Sequence, residues 1–449
     1  MEAKGSPLAL GTENVWRLLM QYAIPSVIAM TAASLYNITD SIFIGQGVGA
    51  LAISGLAITF PLMNLAAAFG ALVGVGASML MSLRLGQKDY SSANNILGNV
   101  FSLNLIFGIT YTIVILSFLD PILYFFGASD DTITYAREYM QVITLGNVIT
   151  HMYLGLNAML RATGNPKTAM YTTIFSVVIN AAITYVFIFV FNWGIRGAAL
   201  GTVIAQASML TWQIIIYSNK KNFIHLMKGS FRLKRKIVKD SLSIGLSPFL
   251  MNSVGCVLVI ILNKSLIHYG GDLQVGAYGI VNRIAFLFGM IVMGLNMGMQ
   301  PIAGYNFGAG QFDRVNRVLK YTIIIAVAVL TVGFLVCELF PGAVASMFTT
   351  DKKLIDMAEY GLRIVFMFAP IVSFQIVASN FFQSIGMVKR AVFLSLSRQA
   401  LILLPCLLIM PLFLGLKGVW LSMPAADLLS TVIAAFMLVS QYKKFKIAQ

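Results

Sequence analysis

Long apolar runs recur along the whole chain, separated by short polar breaks. Each run holds 18 or more mostly apolar residues, the length an α-helix needs to cross roughly 30 Å of hydrocarbon. Lipid offers the backbone no hydrogen bonds, so such runs are expected to be helices. The pattern predicts an all-α integral membrane protein with twelve transmembrane helices. Their predicted limits are 16–45, 50–82, 95–118, 137–160, 168–192, 195–217, 241–266, 274–303, 317–340, 357–381, 391–413 and 416–440.

The two halves of the chain repeat one another. The stretch "LGQKD" (85–89) corresponds to "AGQFD" (309–313), and "GIRGAAL" (194–200) corresponds to "GLKGVWL" (415–421). Seven further pairs recur at offsets of 221 to 224: Pro25 with Pro248, Gly55 with Gly279, Gly70 with Gly294, Gly86 with Gly310, Asp130 with Asp351, Gly164 with Gly386 and Gly197 with Gly418. Nearly constant offsets across several helices indicate an internal duplication.

The duplication predicts the domain organisation. Six crossings are an even number, so both copies begin on the same side of the membrane and the repeats are parallel. The expected domains are a six-helix bundle at 1–217, a linker at 218–240 and a second six-helix bundle at 241–449. Two such bundles that rock around a binding site are a transporter architecture.

The distribution of charge supports a membrane protein and sets its orientation. The chain is 58% hydrophobic and only 10% charged, whereas soluble domains carry about 25% charged residues. With the N-terminus in the cytoplasm, 22 of the 31 Lys and Arg residues fall in inside segments and seven in outside segments. This positive-inside bias predicts that both termini are cytoplasmic. The basic run "KGSFRLKRKIVK" (228–239) is then expected near anionic lipid, and no nucleic-acid partner is expected.

Catalytic and cofactor motifs are missing from the sequence. It contains neither a G-x-x-x-x-G-K-[ST] loop nor H-E-x-x-H, and no break between helices is long enough for a nucleotide-binding domain. The cysteines show no metal or redox spacing, and the histidines lie at different depths; these residues are Cys256, Cys337, Cys406, His151, His225 and His268. We therefore expect no enzyme, no cofactor and no metal, and the N-terminus shows no cleavable signal peptide.

One acid interrupts the first apolar run. The stretch "LYNITDSIFIG" (35–45) carries Asp40, and a charge at the membrane core costs at least ~3 kcal/mol on insertion scales. Pro25 is expected to kink the same helix. Counting ~1.5 Å per residue from the helix ends brings several polar residues to the outer half of the bilayer with Asp40: Asn37, Tyr139, Asn180, Thr202 and Gln206. The sequence predicts a polar pocket around Asp40 in the N-terminal bundle.

The second half lacks this acid, since Asn263 occupies the equivalent position. Its charges within helices are Arg283, Arg398 and Asp427. Two interpretations stay open: Arg398 and Asp427 form a structural ion pair, or these residues line a substrate pocket.

Four stretches resemble the multidrug and toxic compound extrusion (MATE) family: "IPSVIAMTAASLYNITDSIFIG" (24–45), "AYGIVNRI" (277–284), "GMQPIAGYNFGAG" (298–310) and "SRQALILLP" (397–405). With the twelve predicted helices and the repeat, the resemblance covers essentially the whole chain. It is closest to the branch that contains the DNA-damage-inducible transporters.

The resemblance implies a bacterial inner-membrane exporter that exchanges H⁺ or Na⁺ for hydrophobic, often cationic compounds. Asp40 matches the family's ion-coupling acid, and Tyr139, Asn180 and Thr202 match its polar neighbours. Many members carry a second acid four residues after the Asn, where this chain has Thr184. This departure favours H⁺ over Na⁺.

One alternative function comes from the same superfamily. A lipid-linked oligosaccharide flippase often has a cationic central cavity, and Arg283 and Arg398 are compatible with one. Twelve helices and the quoted stretches favour the exporter. We expect the protein to act as a monomer in the lipid bilayer.

Overall fold

The computed structural model describes residues 8–447, except for the side chains at positions 37, 38, 50, 272, 446 and 447. The helices of the first half are α1 (Ala9–Thr12), α2 (Val15–Gly47), α3 (Ala50–Gly86), α4 (Tyr90–Ser117), α5 (Leu119–Phe125), α6 (Ile133–Leu145), α7 (Asn147–Ala162), α8 (Pro166–Tyr185) and α9 (Gly194–Ser218). Those of the second half are α10 (Arg235–Gly270), α11 (Asp272–Gly308), α12 (Phe312–Leu339), α13 (Pro341–Ser346), α14 (Lys352–Phe366), α15 (Ala369–Ser384), α16 (Val388–Leu396), α17 (Leu404–Leu414) and α18 (Leu416–Ile447). Short π-helical segments follow α8 at Val186–Val190 and α16 at Ser397–Leu403.

The fold is all-helical, as predicted, although the long helices are fewer than the predicted spans. Within residues 8–447, ten helical spans are long and apolar enough to cross a membrane, and the pair α14 and α15, bent by 53°, makes up to eleven. The predicted fourth span, 137–160, is divided at Gly146 into α6 and α7, which have 13 and 16 residues. Each is shorter than the ~18 residues that a helix needs to cross the membrane.

The duplication is visible in the helix boundaries. Helices α3 and α11 each contain 37 residues, and α11 begins at Asp272, 222 positions after Ala50. Helices α4 and α12 each contain 28 residues, and α7 and α15 each contain 16. Gly164 and Gly386, also 222 apart, both take positive φ angles, 95° and 75°. The chain therefore consists of two parallel repeats of six membrane segments.

The chain forms two compact units. The first comprises the described residues up to Glu13 together with Ile24–Phe249. In it, α3 packs against α4, α6 and α7, while α8 packs against α9. The second comprises Asn14–Ala23 and the chain from Leu250 onward, where α12 packs against α11 and α15. The sequence-based boundaries at 217 and 240 stay a prediction.

The chain between α9 and α10 is fastened to α4 by polar side chains. Nδ2 of Asn99 donates to the carbonyl oxygens of Ser230 and Arg232, both at 3.0 Å, and its Oδ1 accepts from the backbone N–H of Lys234 at 2.9 Å. Oγ of Ser102 donates to the carbonyl of Phe231 at 2.6 Å. Helix α4 therefore holds the basic segment in a defined path.

Glycines allow α3 and α10 to touch through their backbones within the first unit. A Cβ atom built on Gly245 would lie 1.8 Å from the carbonyl oxygen of Leu72, and one on Gly76 would lie 2.1 Å from that of Ser241. Small residues at helix crossings permit this approach. The crossing therefore depends on the absence of side chains at both positions.

We expect Gly245→Val to destabilise the protein because the new side chain overlaps the Leu72 carbonyl. Overpacking of this kind costs about 1–3 kcal/mol. Thermal unfolding in detergent, followed by fluorescence-detected gel filtration, measures the effect. Gly279→Val is the matched control, because a Cβ at Gly279 meets nothing within 4 Å. Equal melting temperatures for both variants would contradict a close crossing.

Candidate functional site

Asp40 lies in the second half of α2, inside the first unit, and only 5% of its surface is exposed. One helical turn earlier, Tyr36 lies on the same face of α2. The hydroxyl of Tyr36 forms a 2.7 Å hydrogen bond with Oγ1 of Thr202 on α9 and also faces the Asp40 carboxyl. Tyr36 therefore links the acid to α9.

Helices α8 and α9 supply the polar side of the site. Nδ2 of Asn180 on α8 donates to Oγ1 of Thr202 at 3.2 Å. Thr184, one turn further along α8, directs its hydroxyl toward Asp40. A Cβ on Gly201 would lie 2.4 Å from Oγ1 of Thr184, so only glycine lets the two helices come this close.

Tyr139 on α6 completes the cluster. It is buried and lies close enough to interact electrostatically with both Asp40 and Tyr36. Gly55 allows α3 to pack directly on α6, since a Cβ there would lie 2.8 Å from Cβ of Tyr135. The five side chains around Asp40 therefore come from four helices: Tyr36, Tyr139, Asn180, Thr184 and Thr202.

Three buried oxygens in this cluster have no hydrogen-bond partner in the part of the chain that the structure describes. They are Oδ1 of Asp40, Oδ1 of Asn180 and Oγ1 of Thr184. Buried polar atoms normally have partners, so unpaired oxygens beside a carboxyl mark a place where a proton or a small cation can bind. Among the described residues, no group of three or more His, Cys, Asp or Glu side chains could hold a metal ion.

The structure brings together most of the residues predicted for the pocket. Asp40, Tyr139, Asn180, Thr202 and Thr184 all belong to the cluster, whereas the side chain of Asn37 lies outside the described part. Gln206 lies one turn beyond Thr202 on α9, and its Oε1 accepts a hydrogen bond from Thr150 on α7. Tyr36 was missed by the sequence analysis, although its position four residues before Asp40 on a helix was a usable signal.

The charges of the second half lie in the other compact unit. Nε of Arg398 donates to Oδ1 of Asp427 at 2.6 Å, and Asp427 is buried. Arg398 lies in the π-helical segment after α16, a type of distortion that is frequent at functional sites. Arg283 is exposed on α11. The ion pair is therefore present, whereas a role for these residues in substrate binding stays a prediction.

A duplicated membrane-embedded bundle with a buried acid among hydroxyl groups is typical of a secondary transporter. The MatE family model matches residues 25–186 and 244–409, once in each half of the chain. The protein therefore belongs to the MATE family of multidrug transporters.

Known proteins of this family resemble the chain over nearly its full length. The multidrug export protein MepA of Staphylococcus haemolyticus is 26% identical over 95% of this chain and 94% of its own. MepA of Staphylococcus aureus strain N315 is 28% identical over 94% and 92%. The MATE multidrug transporter DinF-BH, solved with a bound compound, is 34% identical over 96% of both chains, with a TM-score of 0.89. An outward-facing MATE transporter of the MOP superfamily has a TM-score of 0.93 at 24% identity and covers 99% of both chains.

We expect Thr202→Val to destabilise the first unit, because Oγ1 of Thr202 is the partner of both Tyr36 and Asn180. Leaving buried polar groups unpaired costs about 1–3 kcal/mol each. Thr211→Val is the matched control, because Thr211 is exposed on the same helix and its hydroxyl bonds to the carbonyl of Ala207 of the same helix. Thermal unfolding of the purified variants measures the difference. A melting temperature of Thr202→Val equal to that of Thr211→Val would refute a structural role for this hydroxyl.

Proposed function

We propose that this protein is a proton-coupled antiporter that exports hydrophobic or cationic compounds from the bacterial cytoplasm by alternating access. The observation that supports proton coupling is the buried carboxyl of Asp40, which faces the neutral hydroxyl groups of Tyr36 and Thr184. The proposed site consists of Asp40 with Tyr36, Tyr139, Asn180, Thr184 and Thr202.

The surroundings of Asp40 suit reversible protonation. Burial favours the neutral carboxyl, whereas hydrogen-bond donors favour the carboxylate. The hydroxyls of Tyr36 and Thr184 can donate to the charged form or accept from the neutral form by rotation. Neither protonation state therefore leaves the carboxyl without possible partners.

Protonation can drive a conformational change only through a difference in affinity between two states. A tenfold difference in proton affinity supplies ~1.4 kcal/mol. Removing the charge of Asp40 also removes the reason for its polar neighbours to converge on it. The packing of α2 against α8 and α9 is therefore the element that we propose responds to the proton.

Sodium is the second candidate ion, and one observation supports it. A Na⁺ ion needs several oxygen ligands, and three unpaired buried oxygens belong to Asp40, Asn180 and Thr184. The site supplies a single carboxylate, however, with threonine at position 184 rather than an acid. We favour the proton because Thr184 supplies a neutral hydroxyl where a second acid would supply further, charged oxygen ligands for Na⁺.

The substrates are inferred from the relatives. The MepA proteins are named multidrug export proteins, and DinF-BH is described as a multidrug transporter. We infer that this chain also exports more than one compound, and the fluorescent cation ethidium is a suitable first probe. The positive-inside bias supports an inner-membrane location with both termini in the cytoplasm.

We expect Asp40→Asn to fold and reach the membrane, yet to lose ethidium export against a gradient. Asparagine keeps the size of the side chain but cannot titrate. The measurement is ethidium transport in proteoliposomes under separate H⁺ and Na⁺ gradients. Asp131→Asn is the matched control, because it removes an exposed carboxyl.

Two outcomes would decide against this proposal. Full gradient-driven export by Asp40→Asn would remove Asp40 from the coupling step. Wild-type export that needs Na⁺ and persists with a protonophore would replace the proton by sodium. Wild-type export that collapses with a protonophore in Na⁺-free buffer is the expected result.

The orientation is testable by cysteine labelling. Ser218 at the end of α9 and Ser129 in the α5–α6 loop are both exposed, and we expect them on opposite sides of the membrane. In a background without Cys256, Cys337 and Cys406, Ser129→Cys should react with an impermeant reagent added to intact cells, whereas Ser218→Cys should react only after lysis. Labelling of Ser218→Cys in intact cells would contradict the predicted orientation.

A further inference from the structure

A polar column continues from the Asp40 cluster through the first unit. On α7 it follows one face, with Thr150, Tyr153, Asn157 and Arg161 spaced three or four residues apart, so their side chains stack along the helix. Thr150 bonds to Gln206, one turn from Thr202. The column therefore begins one helical turn from the Asp40 cluster.

Helix α8 supplies the hydroxyls of the next layer. Tyr153 interacts with the hydroxyls of Thr173 and Ser176. Nδ2 of Asn157 donates to Oγ1 of Thr172 at 2.8 Å and to that of Thr173 at 3.3 Å. Hydroxyls and amides at such spacings provide the partners that bridging water molecules need.

The column ends at Arg161, in the last turn of α7. Its Nη1 donates to Oδ1 of Asn157, and the hydroxyls of Tyr153 and Tyr217 lie within electrostatic range of the guanidinium. No carboxylate among the described residues forms an ion pair with it. The column therefore ends at a positive charge that has no carboxylate partner among the described residues.

Two further buried groups near this end have no partner in the described part of the chain. They are the two amide atoms of Gln213 on α9, one turn before Tyr217, whose hydroxyl faces that of Thr163. The interior at this end is therefore polar although it is closely packed. The charge of Arg161 is the feature that would oppose the passage of a cation.

Arg161 is half-buried at the end of α7, toward the side where the basic residues of the chain accumulate. A fixed arginine on a polar pathway raises the energy of any cation nearby, which is one way that membrane pores exclude protons. An antiporter needs such exclusion, because a proton that crosses without substrate dissipates the gradient.

We propose that Arg161 is an electrostatic barrier that prevents protons from leaking through the polar column of the first unit. This inference rests on the proposed coupling role of Asp40, since the barrier protects a gradient that Asp40 uses. Arg161 lies away from Asp40, and in this proposal it sets ion selectivity through its charge alone.

The test measures proton leak without substrate and without Na⁺. Purified protein is reconstituted in liposomes that contain a pH-sensitive dye, and an imposed pH gradient decays while valinomycin and K⁺ hold the membrane potential at zero. We expect wild type to leak little more than empty liposomes. We expect Arg161→Gln to leak about tenfold faster, which corresponds to ~1.4 kcal/mol of lost barrier.

Matched variants separate charge from packing. Arg161→Lys keeps the charge, so its proton leak should equal that of wild type. Lys167→Gln removes an exposed charge at the same end of the unit, and its proton leak should also equal that of wild type. Asn157→Asp keeps Arg161 but places a carboxylate at the acceptor of its hydrogen bond, so it should leak like Arg161→Gln. This variant tests the barrier even if Arg161→Gln does not fold.

Folded Arg161→Gln or Asn157→Asp that leaks no faster than wild type would overturn the proposal. Equal leak by Arg161→Lys and Arg161→Gln would also overturn it, since packing rather than charge would then seal the column. The leak assay uses no substrate, so its result stays distinct from that of Asp40→Asn export. A leak through Arg161→Gln combined with normal export by Asp40→Asn would refute the coupling role and keep the barrier.

Discussion

The cost of holding a carboxyl away from water is the constraint on which the first unit depends. Asp40 is buried, and neighbouring hydroxyl groups, rather than a positive charge, stabilise its carboxyl. Thr202 illustrates how this is built, since its single hydroxyl joins Tyr36 from α2 and Asn180 from α8. Gly201 then brings Thr184 within reach. These hydroxyl groups offset only part of the free-energy cost of burying the charged carboxylate of Asp40. The charged and the neutral carboxyl are therefore both accessible.

The two repeats stabilise their buried acids in different ways. Helix boundaries recur at 222 positions, yet Asn263 takes the place of Asp40, and the buried acid of the second repeat is Asp427, which is neutralised by Arg398 at 2.6 Å. A buried ion pair is strongly held once both partners are present, because removing either charge leaves the other uncompensated. We therefore propose that sensitivity to a coupling ion belongs to the first repeat.

Most of the fold and much of the site could be predicted from the sequence, for physical reasons. Hydropathy places helices because the bilayer has a fixed thickness, and counting residues along them predicted that Asn180 and Thr202 lie at the depth of Asp40. Depth does not specify which way a side chain points, so the sequence could not predict the hydrogen bond between Tyr36 and Thr202 or that between Thr150 and Gln206. The break at Gly146 was missed because one glycine in an apolar run does not specify a helix end.

Opposite charges lie toward the two ends of the polar interior of the first unit. Asp40 lies by the Thr202 end of α9, and Arg161 lies by Tyr217, 15 residues further along that helix or about 22 Å away at ~1.5 Å per residue. At that distance the two charges interact too weakly to neutralise one another, so each sets the local potential. The acid favours a cation at its own end, and the arginine disfavours one at the other. In the proposed mechanism, a single polar column is open to proton exchange at Asp40 and closed to proton passage beyond it, which is the asymmetry that coupled transport needs.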